Sequence, residues 1–299
     1  MREWLECAPV WLLAKFLGLL PRSVARAIGT GIGRAAYWLH PRLRRVGMRN
    51  LELAVPELPH AERPRVLQGV FTTLGRQLAD FALLPRMTSG NVSDVVTYCG
   101  LEHYLEARAR GRGVLFVTAH LGGWEIGSYA HALYGHPIRV VIRQLDNRWL
   151  NRFVDGYRTA AGNQTFGKQD FARGLLAAMR AGETVGILMD TNMTPPQGVF
   201  VPFFGIPACT ASGLARVAWK TDAAVVPGFT VWHADAGKYC IHFEPPIQLA
   251  RTGDEEQDAI ANTALFTSVI ERYVRRYPDQ WLWVHRRWKS RPPGEPPLY

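Results

Sequence analysis

Several features that would place the chain in a familiar enzyme class are missing from its sequence. Its four cysteines, Cys7, Cys99, Cys209 and Cys240, lie far apart and form no CxxC pair, which argues against a zinc site and indicates a reducing compartment. There is no GxSxG segment to supply a nucleophilic serine and no HExxH segment to bind zinc. We therefore expect a reaction without a metal, without an organic cofactor and without a nucleophile from the enzyme itself.

A long uninterrupted apolar run is also missing. The segment WLECAPVWLLAKFLGLLP, residues 4–21, is apolar but contains Glu6, Pro9 and Lys15, so it falls short of the roughly 20 continuous apolar residues of a spanning helix. It matches a secretory signal poorly, because two glutamates accompany a single arginine at its start and no small-x-small site follows.

The segment that follows, residues 22–50, is rich in arginine among apolar residues. The arginines are Arg22, Arg26, Arg34, Arg42, Arg44, Arg45 and Arg49. An apolar helix followed by a basic amphipathic stretch predicts a membrane anchor that lies at an anionic surface. The alternative is an amphipathic helix that packs on its own domain.

Acidic residues are in deficit, with 25 Asp and Glu against 35 Lys and Arg, for a formal net charge of +10. Such a surface favours anionic lipid, an acidic protein or nucleic acid as a partner. A nucleic-acid-binding module should interleave basic residues with stacking aromatics on one face, whereas the arginines here concentrate near the N-terminus and at 286–291. We therefore expect a membrane partner and no nucleic acid. The ten tryptophans agree, since this residue is enriched at membrane interfaces.

No internal repeat, low-complexity tract or interdomain linker divides the chain. From residue 92 onward, apolar strand patterns alternate with helical patterns, except for a Pro/Gly-rich loop between residues 190 and 212. This alternation predicts an α/β fold with a largely parallel central sheet flanked by helices. We expect one domain over residues 51–299, preceded by an N-terminal helical extension, residues 1–50, that associates with the membrane.

The segment FVTAHLGGWEIGSY, residues 116–129, places His120 directly after a strongly apolar strand. Glu125 follows five positions later, and Gly122 and Gly123 permit a tight reversal between the two. A carboxylate that orients an imidazole makes it a general base, so we expect Glu125 to hold His120 while His120 deprotonates a substrate hydroxyl. The alternative is a core histidine bonded to the backbone.

Asp190 ends a second apolar strand, in the segment TVGILMD. Ligands of α/β proteins bind at the carboxyl ends of the strands. We therefore expect Asp190 to lie at the same end of the sheet as His120 and Glu125, in or beside one cleft.

The segment AHLGGWE resembles the HxxxxD/E block of glycerolipid and lysophospholipid acyltransferases, in the form usual for the bacterial lipid A late acyltransferases (lauroyl and myristoyl transferases). Further blocks in the family's order extend the resemblance over nearly the whole chain. They are RNLELAVPEL, VIRQLDN with VDGYRTAAG, GILMDTN, GVFVPFFGIPACTASGLARVAWKTDAAVVP and YPDQWLWVHRRWKSRP. One departure is Gly123, where the family commonly has Asn, and it bears on substrate identity more than on reaction type.

The resemblance implies a role for each matching position. His120 is implied to be the base and Glu125 its orienting partner, while Arg158 and Arg143 are implied to hold phosphate or the developing oxyanion. Asp190 is implied to complete the polar site. For Arg143 a surface ion pair is the alternative.

The implied activity is that of a membrane-associated O-acyltransferase. It would move a fatty acyl chain from acyl carrier protein or acyl-CoA to a hydroxyl of lipid A or a related lipid, at the cytoplasmic side of the inner membrane, with either a peripheral attachment or a single N-terminal anchor. One alternative acceptor is another glycolipid or phospholipid, as for the related mannoside acyltransferases. A lipid or thioester hydrolase would use the same histidine–glutamate pair with water.

Overall fold

The computed structural model describes residues 2–167 and 171–299, and within these ranges it contains ten α-helices and nine β-strands. The helices are α1 (Arg2–Leu19), α2 (Arg22–Leu39), α3 (Pro41–Ala54), α4 (Arg63–Ala82), α5 (Leu101–Ala109), α6 (Trp124–Leu133), α7 (Arg148–Thr159), α8 (Phe171–Arg180), α9 (Gly213–Thr221) and α10 (Glu255–Arg276). The strands are β1 (Val96–Cys99), β2 (Val114–Thr118), β3 (Arg139–Ile142), β4 (Gln164–Gly167), β5 (Thr184–Leu188), β6 (Gly198–Phe203), β7 (Ile206–Ala211), β8 (Ala224–His233) and β9 (Lys238–Phe243).

Seven of the described strands form one sheet, in the order β1-β9-β8-β2-β5-β3-β4. All neighbouring strands are parallel except β8 and β9, which are antiparallel. Helices cover the sheet on both faces, so the predicted α/β fold with a largely parallel central sheet is confirmed.

The central strands are buried on both faces, which explains their nearly continuous apolar sequences. In β2, Leu115 and Val117 pack in one core cluster while Val114 and Phe116 pack in another, because alternate side chains of a strand point to opposite faces. The apolar run therefore fixes the middle of the sheet, and the polar residues after it emerge at the edge.

The N-terminal helices pack against the rest of the chain. Helix α1 lies on α4 and α7, and α2 lies along α4. The α2–α4 contact is a close backbone approach, since a Cβ added at Gly33 would lie 2.1 Å from the carbonyl oxygen of Phe71 and one added at Gly75 would lie 2.1 Å from that of Gly29. Gly29 and Gly33 of the segment GTGIG, residues 29–33, thus permit the close packing of α2 on α4.

Helix α1 continues through Pro9 and presents much of its apolar surface to solvent. Its exposed large apolar residues are Trp4, Leu5, Val10, Trp11, Leu12, Phe16 and Leu19. Within the described ranges, no helix, α1 included, combines the length and the apolar content needed to cross a bilayer.

The Pro/Gly-rich segment before α9, predicted to be a loop, instead contains the antiparallel hairpin β6–β7. Its two-residue turn is Phe204–Gly205, and both residues have positive φ, +54° and +72°, as the favoured two-residue hairpin turns require. Pro202 and Pro207 face each other across the hairpin. Because proline is uncommon inside strands, these residues made the segment resemble a loop in the sequence.

The cysteines also depart from expectation. Cys99 of β1 and Cys240 of β9 form a disulfide, and Cys7 and Cys209 are buried and free. The sequence indicated a reducing compartment because the four cysteines lie far apart and form no CxxC pair. The parallel pairing of β1 with β9 brings together these two cysteines, which are 141 positions apart, and spacing alone could not reveal that contact.

Candidate active site

His120 follows β2 at the carboxyl edge of the sheet, and its backbone is fixed on both sides. The ladder between β2 and β5 pairs Thr118 with Leu188, so the residues two positions further on, His120 and Asp190, meet beyond the last pair. The backbone N–H of His120 donates to Oδ2 of Asp190 (2.9 Å), and the N–H of Leu282 donates to the carbonyl oxygen of His120 (3.1 Å).

The His120 side chain is held by Asp190. Nδ1 of the imidazole and Oδ1 of Asp190 are 2.8 Å apart, and the indole N–H of Trp281 donates to Oδ2 at 2.8 Å. The buried carboxylate of Asp190 thus accepts three hydrogen bonds, from the backbone and the imidazole of His120 and from the indole of Trp281. Burial opposes its charge, but the charge of His120 and these hydrogen bonds outweigh burial and lower the pKa of Asp190.

Because Asp190 is ionised, Nδ1 of His120 is the donor to it, and Nε2 is the nitrogen that can accept a proton. Burial disfavours the imidazolium, yet the charge of Asp190, the hydrogen bond to it and the charge of Glu125 together raise the pKa of His120. The ring of Trp124 packs edge-on against the imidazole, with the ring centroids 5.1 Å apart. The imidazole of His120 is thus oriented by Asp190 and has a raised pKa.

The hydrogen bond expected from the His120 imidazole to the Glu125 carboxylate is replaced in the structure by a different contact. The Glu125 carboxylate forms a bidentate pair with Arg158: Nε of Arg158 lies 2.9 Å from Oε2 and 3.1 Å from Oε1, and an NH2 group also donates to Oε1. Burial would lower the pKa of Arg158, but the hydrogen bonds and charge of Glu125, with the charge of Asp155, raise it. Among the hydrogen bonds of the described residues, none joins Glu125 to His120, and the charge of Glu125 contributes to the raised pKa of His120.

The glycines between His120 and Glu125 explain this difference. Gly122 has φ +60°, and a Cβ there would lie 1.9 Å from the carbonyl oxygen of Thr230. The N–H of Gly123 donates to that same oxygen at 2.8 Å. The turn therefore docks the backbone against β8 and starts α6 at Trp124, which directs Glu125 toward α7 instead of back to the imidazole.

Arg143 lies at the mouth of the site. Its side chain is 74% exposed and, among the residues that the structure describes, it pairs with the exposed Asp146 at 3.3 Å. This contact is the surface ion pair that the sequence offered as the alternative role of Arg143. The guanidinium nevertheless remains accessible at the rim of the cavity described below.

A cavity of about 450 Å³ opens at His120, within the range of sites that bind small ligands. His120, Glu125, Arg158, Asn192 and His285 provide polar groups in its lining. The rest of the wall is largely apolar, and it includes Phe116, Ile138, Val140, Leu188, Ile241 and Phe243. The polar side chains around His120 and the apolar wall therefore line one continuous cavity that can accommodate a molecule with a polar end and an alkyl chain.

Sequence reasoning missed the roles of Trp281, His285 and Asn192. Nε2 of His285 accepts the backbone N–H of Asn192 at 3.0 Å, and the Asn192 side chain bonds to Ser290. The only signal was the density of aromatic and basic residues in WLWVHRRWKS, because nothing in the chain order indicates that this segment returns to His120.

In the part of the chain that the structure describes, one cluster has the spacing of metal ligands: Cys99, Cys240 and His242. It lies on β1 and β9, at the edge of the sheet, and its two sulfur atoms are joined in the disulfide. It is separate from the constellation around His120.

Comparison with known proteins gives a consistent result. The family model described as "Bacterial lipid A biosynthesis acyltransferase" matches residues 1–290, which confirms the resemblance carried by the sequence blocks. The chain is 28% identical over 297 residues to the lipid A biosynthesis lauroyltransferase of Escherichia coli (strain K12), covering 99% of this chain and 94% of that protein. The palmitoleoyltransferase of the same organism matches to the same extent, and its myristoyltransferase is 25% identical over 281 residues, covering 93% of this chain and 85% of that protein.

Proposed function

The chain belongs to the bacterial lipid A biosynthesis acyltransferase family, and we propose from this that it transfers a fatty acyl chain from a thioester to a hydroxyl of lipid A or a closely related lipid. The relatives it matches along nearly their whole length are lauroyl-, palmitoleoyl- and myristoyltransferases of lipid A biosynthesis. The observation that carries the proposal is the His120–Asp190 pair at the opening of an apolar cavity.

The proposed reaction uses His120 as the base. Nε2 accepts the proton of the acceptor hydroxyl while Asp190 stabilises the imidazolium through Nδ1. The hydroxyl oxygen bonds to the thioester carbonyl carbon and forms a tetrahedral oxyanion. The C–S bond then breaks, the new ester remains on the acceptor, and the departing thiolate takes the proton from His120.

The Glu125–Arg158 pair supports this base without touching it. Each side chain of the pair is about one-fifth to one-quarter exposed, and both line the cavity. We propose that Arg158 holds the Glu125 carboxylate close to His120, where its charge favours the imidazolium formed during the reaction. Arg143, exposed at the rim in its ion pair with Asp146, is the cation we assign to a phosphate of the acceptor or of the donor carrier.

The donor is proposed to be acyl carrier protein or acyl-CoA, since both present an acyl thioester on a strongly anionic carrier and the chain has a formal net charge of +10. The acyl chain would occupy the apolar cavity. Another glycolipid or a phospholipid is the alternative acceptor. The reason is Gly123, which stands where the family commonly has Asn and therefore bears on the identity of the acceptor.

We propose that residues 1–50 hold the enzyme at the cytoplasmic face of the inner membrane and that residues 51–299 carry the chemistry. The exposed apolar residues of α1 continue onto α7, where Trp4, Trp11 and Trp149 line a common groove. Leu145, just before α7, is 41% exposed and also lines the cavity mouth. An apolar surface that reaches the mouth would let a lipid acceptor enter from the bilayer.

The test is a reconstituted assay with purified full-length enzyme, a lipid A precursor with free hydroxyls, and lauroyl, myristoyl or palmitoleoyl thioesters of acyl carrier protein or CoA. Mass spectrometry should show the acceptor gaining one acyl chain. Release of free fatty acid at the same rate with and without acceptor would instead identify a thioester hydrolase, and acylation of phospholipid in preference to the lipid A precursor would identify the alternative acceptor.

A further inference from the structure

The proposed reaction generates an oxyanion that a donor must stabilise, but the guanidinium of Arg158 is already paired with Glu125. Arg158 directs its guanidinium to both oxygens of Glu125, and Arg143 lies out at the exposed rim. A second imidazole, that of His285, lines the same cavity as His120. We propose that the neutral Nδ1–H group of His285 is a catalytic hydrogen-bond donor to the oxyanion; this rests on the acyl transfer proposed above.

The tautomer of His285 follows from one contact. Its Nε2 lies 3.0 Å from the backbone nitrogen of Asn192. A backbone amide nitrogen only donates, so Nε2 must be the acceptor. In a neutral imidazole the proton is then on Nδ1, which makes Nδ1 the donor.

The imidazole is also kept neutral. Burial lowers the pKa of His285, the charge of Asp190 opposes this, and the nearby charges of Arg287, His120 and Lys289 reinforce the lowering. A neutral imidazole next to a base that becomes an imidazolium is the arrangement needed for a donor that does not give up its proton.

The segment that carries His285 is fixed relative to His120. The N–H of Leu282 donates to the carbonyl oxygen of His120, and the side chain of Asn50 donates to the carbonyl oxygens of Trp283 (2.5 Å) and His285 (2.7 Å). A donor that is held in place before charge develops stabilises the transition state without reorganising.

In the proposed step, the acceptor oxygen bonds to the carbonyl carbon and the carbonyl π electrons move to its oxygen. His285 donates a hydrogen bond to that oxygen and keeps its proton. When the intermediate collapses, the electrons return, the C–S bond breaks, and His285 is unchanged.

The first test reads the tautomer directly in the wild-type enzyme. Nitrogen NMR of protein labelled with ¹⁵N-histidine at pH 7, assigned by comparison with His285→Asn, should show a neutral ring protonated at Nδ1. A ring protonated at Nε2, or an imidazolium, would overturn the proposal, and neither result depends on which lipid the enzyme acylates.

The second test is a set of three variants. The amide nitrogen of Asn can occupy the position of Nδ1, whereas that of Gln reaches the position of Nε2, so His285→Asn retains the donor and His285→Gln and His285→Leu lose it. We expect kcat to fall about 10²–10³-fold in His285→Gln and His285→Leu, with the KM of the thioester changed little and with His285→Asn losing far less.

Equal losses in His285→Asn and His285→Gln would overturn the donor role, as would near-normal kcat in a folded His285→Leu. If wild-type enzyme transfers no acyl group to any acceptor, the proposed function fails, whereas wild-type transfer with an indifferent His285 refutes only this inference.

Discussion

Oδ1 of Asp190 lies 2.8 Å from Nδ1 of His120, although 70 positions separate the two residues in the chain. Neighbouring parallel strands deliver them to one edge, and the backbone N–H of His120 adds a second bond to the same carboxylate. The orientation of the His120 imidazole therefore depends on the register of β2 and β5.

Replacement of His120 by Ala is expected to lower kcat about 10²–10⁴-fold or more, because the acceptor hydroxyl loses its base. The measurement is acyl transfer by mass spectrometry, with circular dichroism and a thermal melt to verify folding. His60→Ala, which removes an exposed histidine outside the cavity, is the matched control and should retain full activity. A folded His120→Ala enzyme with near-normal turnover would contradict the mechanism.

The Asp190→Asn variant should change the pH dependence in a defined direction. In the wild type the pKa of His120 is raised above 6.5, so the base is protonated at mildly acid pH and kcat/KM rises as pH increases through that raised value. Without the Asp190 charge, burial dominates and lowers the pKa of His120, so the acid limb should move to lower pH while the plateau falls about 10²–10⁴-fold. A limb that stays in place or moves to higher pH would rule out this role of Asp190.

The Glu125–Arg158 pair should behave as one unit in a double-mutant cycle. Each of Glu125→Gln and Arg158→Met leaves a partly buried charge without its partner and should lower the free energy of unfolding by about 1–3 kcal/mol. The double variant should lose less than the sum of the singles, as urea unfolding would measure. The exposed pair Arg143 and Asp146 is the control and should show no measurable coupling; additive losses at Glu125 and Arg158 would show that the two act separately.

A charge placed on α1 should weaken membrane binding. Leu12 is 59% exposed on that helix, and Leu265 of α10 is 40% exposed. We expect Leu12→Glu to reduce binding to anionic vesicles about tenfold or more, since it removes apolar contact and adds repulsion, while Leu265→Glu changes binding little. Flotation with phosphatidylglycerol vesicles at low salt measures this, and equal effects of the two substitutions would refute α1 as the contact surface.

The sequence predicted the sheet and the position of His120 because both follow from local patterns. An apolar run such as that of β2 is buried on both faces in a parallel sheet, and the polar residue after it must emerge at the edge. The sequence predicted Glu125 as the hydrogen-bond partner of His120, whereas Asp190 is the carboxylate that contacts the imidazole. The reason is physical: Glu125 is near in the chain, whereas the approach of Asp190 depends on the pairing of β2 with β5.

His285 illustrates what local pattern cannot supply. Its proximity to His120 depends on the return of the chain after α10, and its tautomer depends on the backbone N–H of Asn192. Neither leaves a periodic trace in the sequence. The hairpin around Phe204 and Gly205 was hidden in a different way, because its prolines resemble those of an irregular loop.

The backbone contact of Gly29 and Gly33 with Gly75 has a consequence for how the enzyme sits on a bilayer. These glycines bring the main chains of α2 and α4 together, which tightly constrains the position of α2 on the rest of the protein. If residues 1–50 hold the enzyme at the bilayer as proposed, this contact also sets how that attachment is oriented relative to the cavity entrance. A methyl group added at Gly33 would collide with the carbonyl oxygen of Phe71, so it is expected to shift α2 on α4 and to change that orientation.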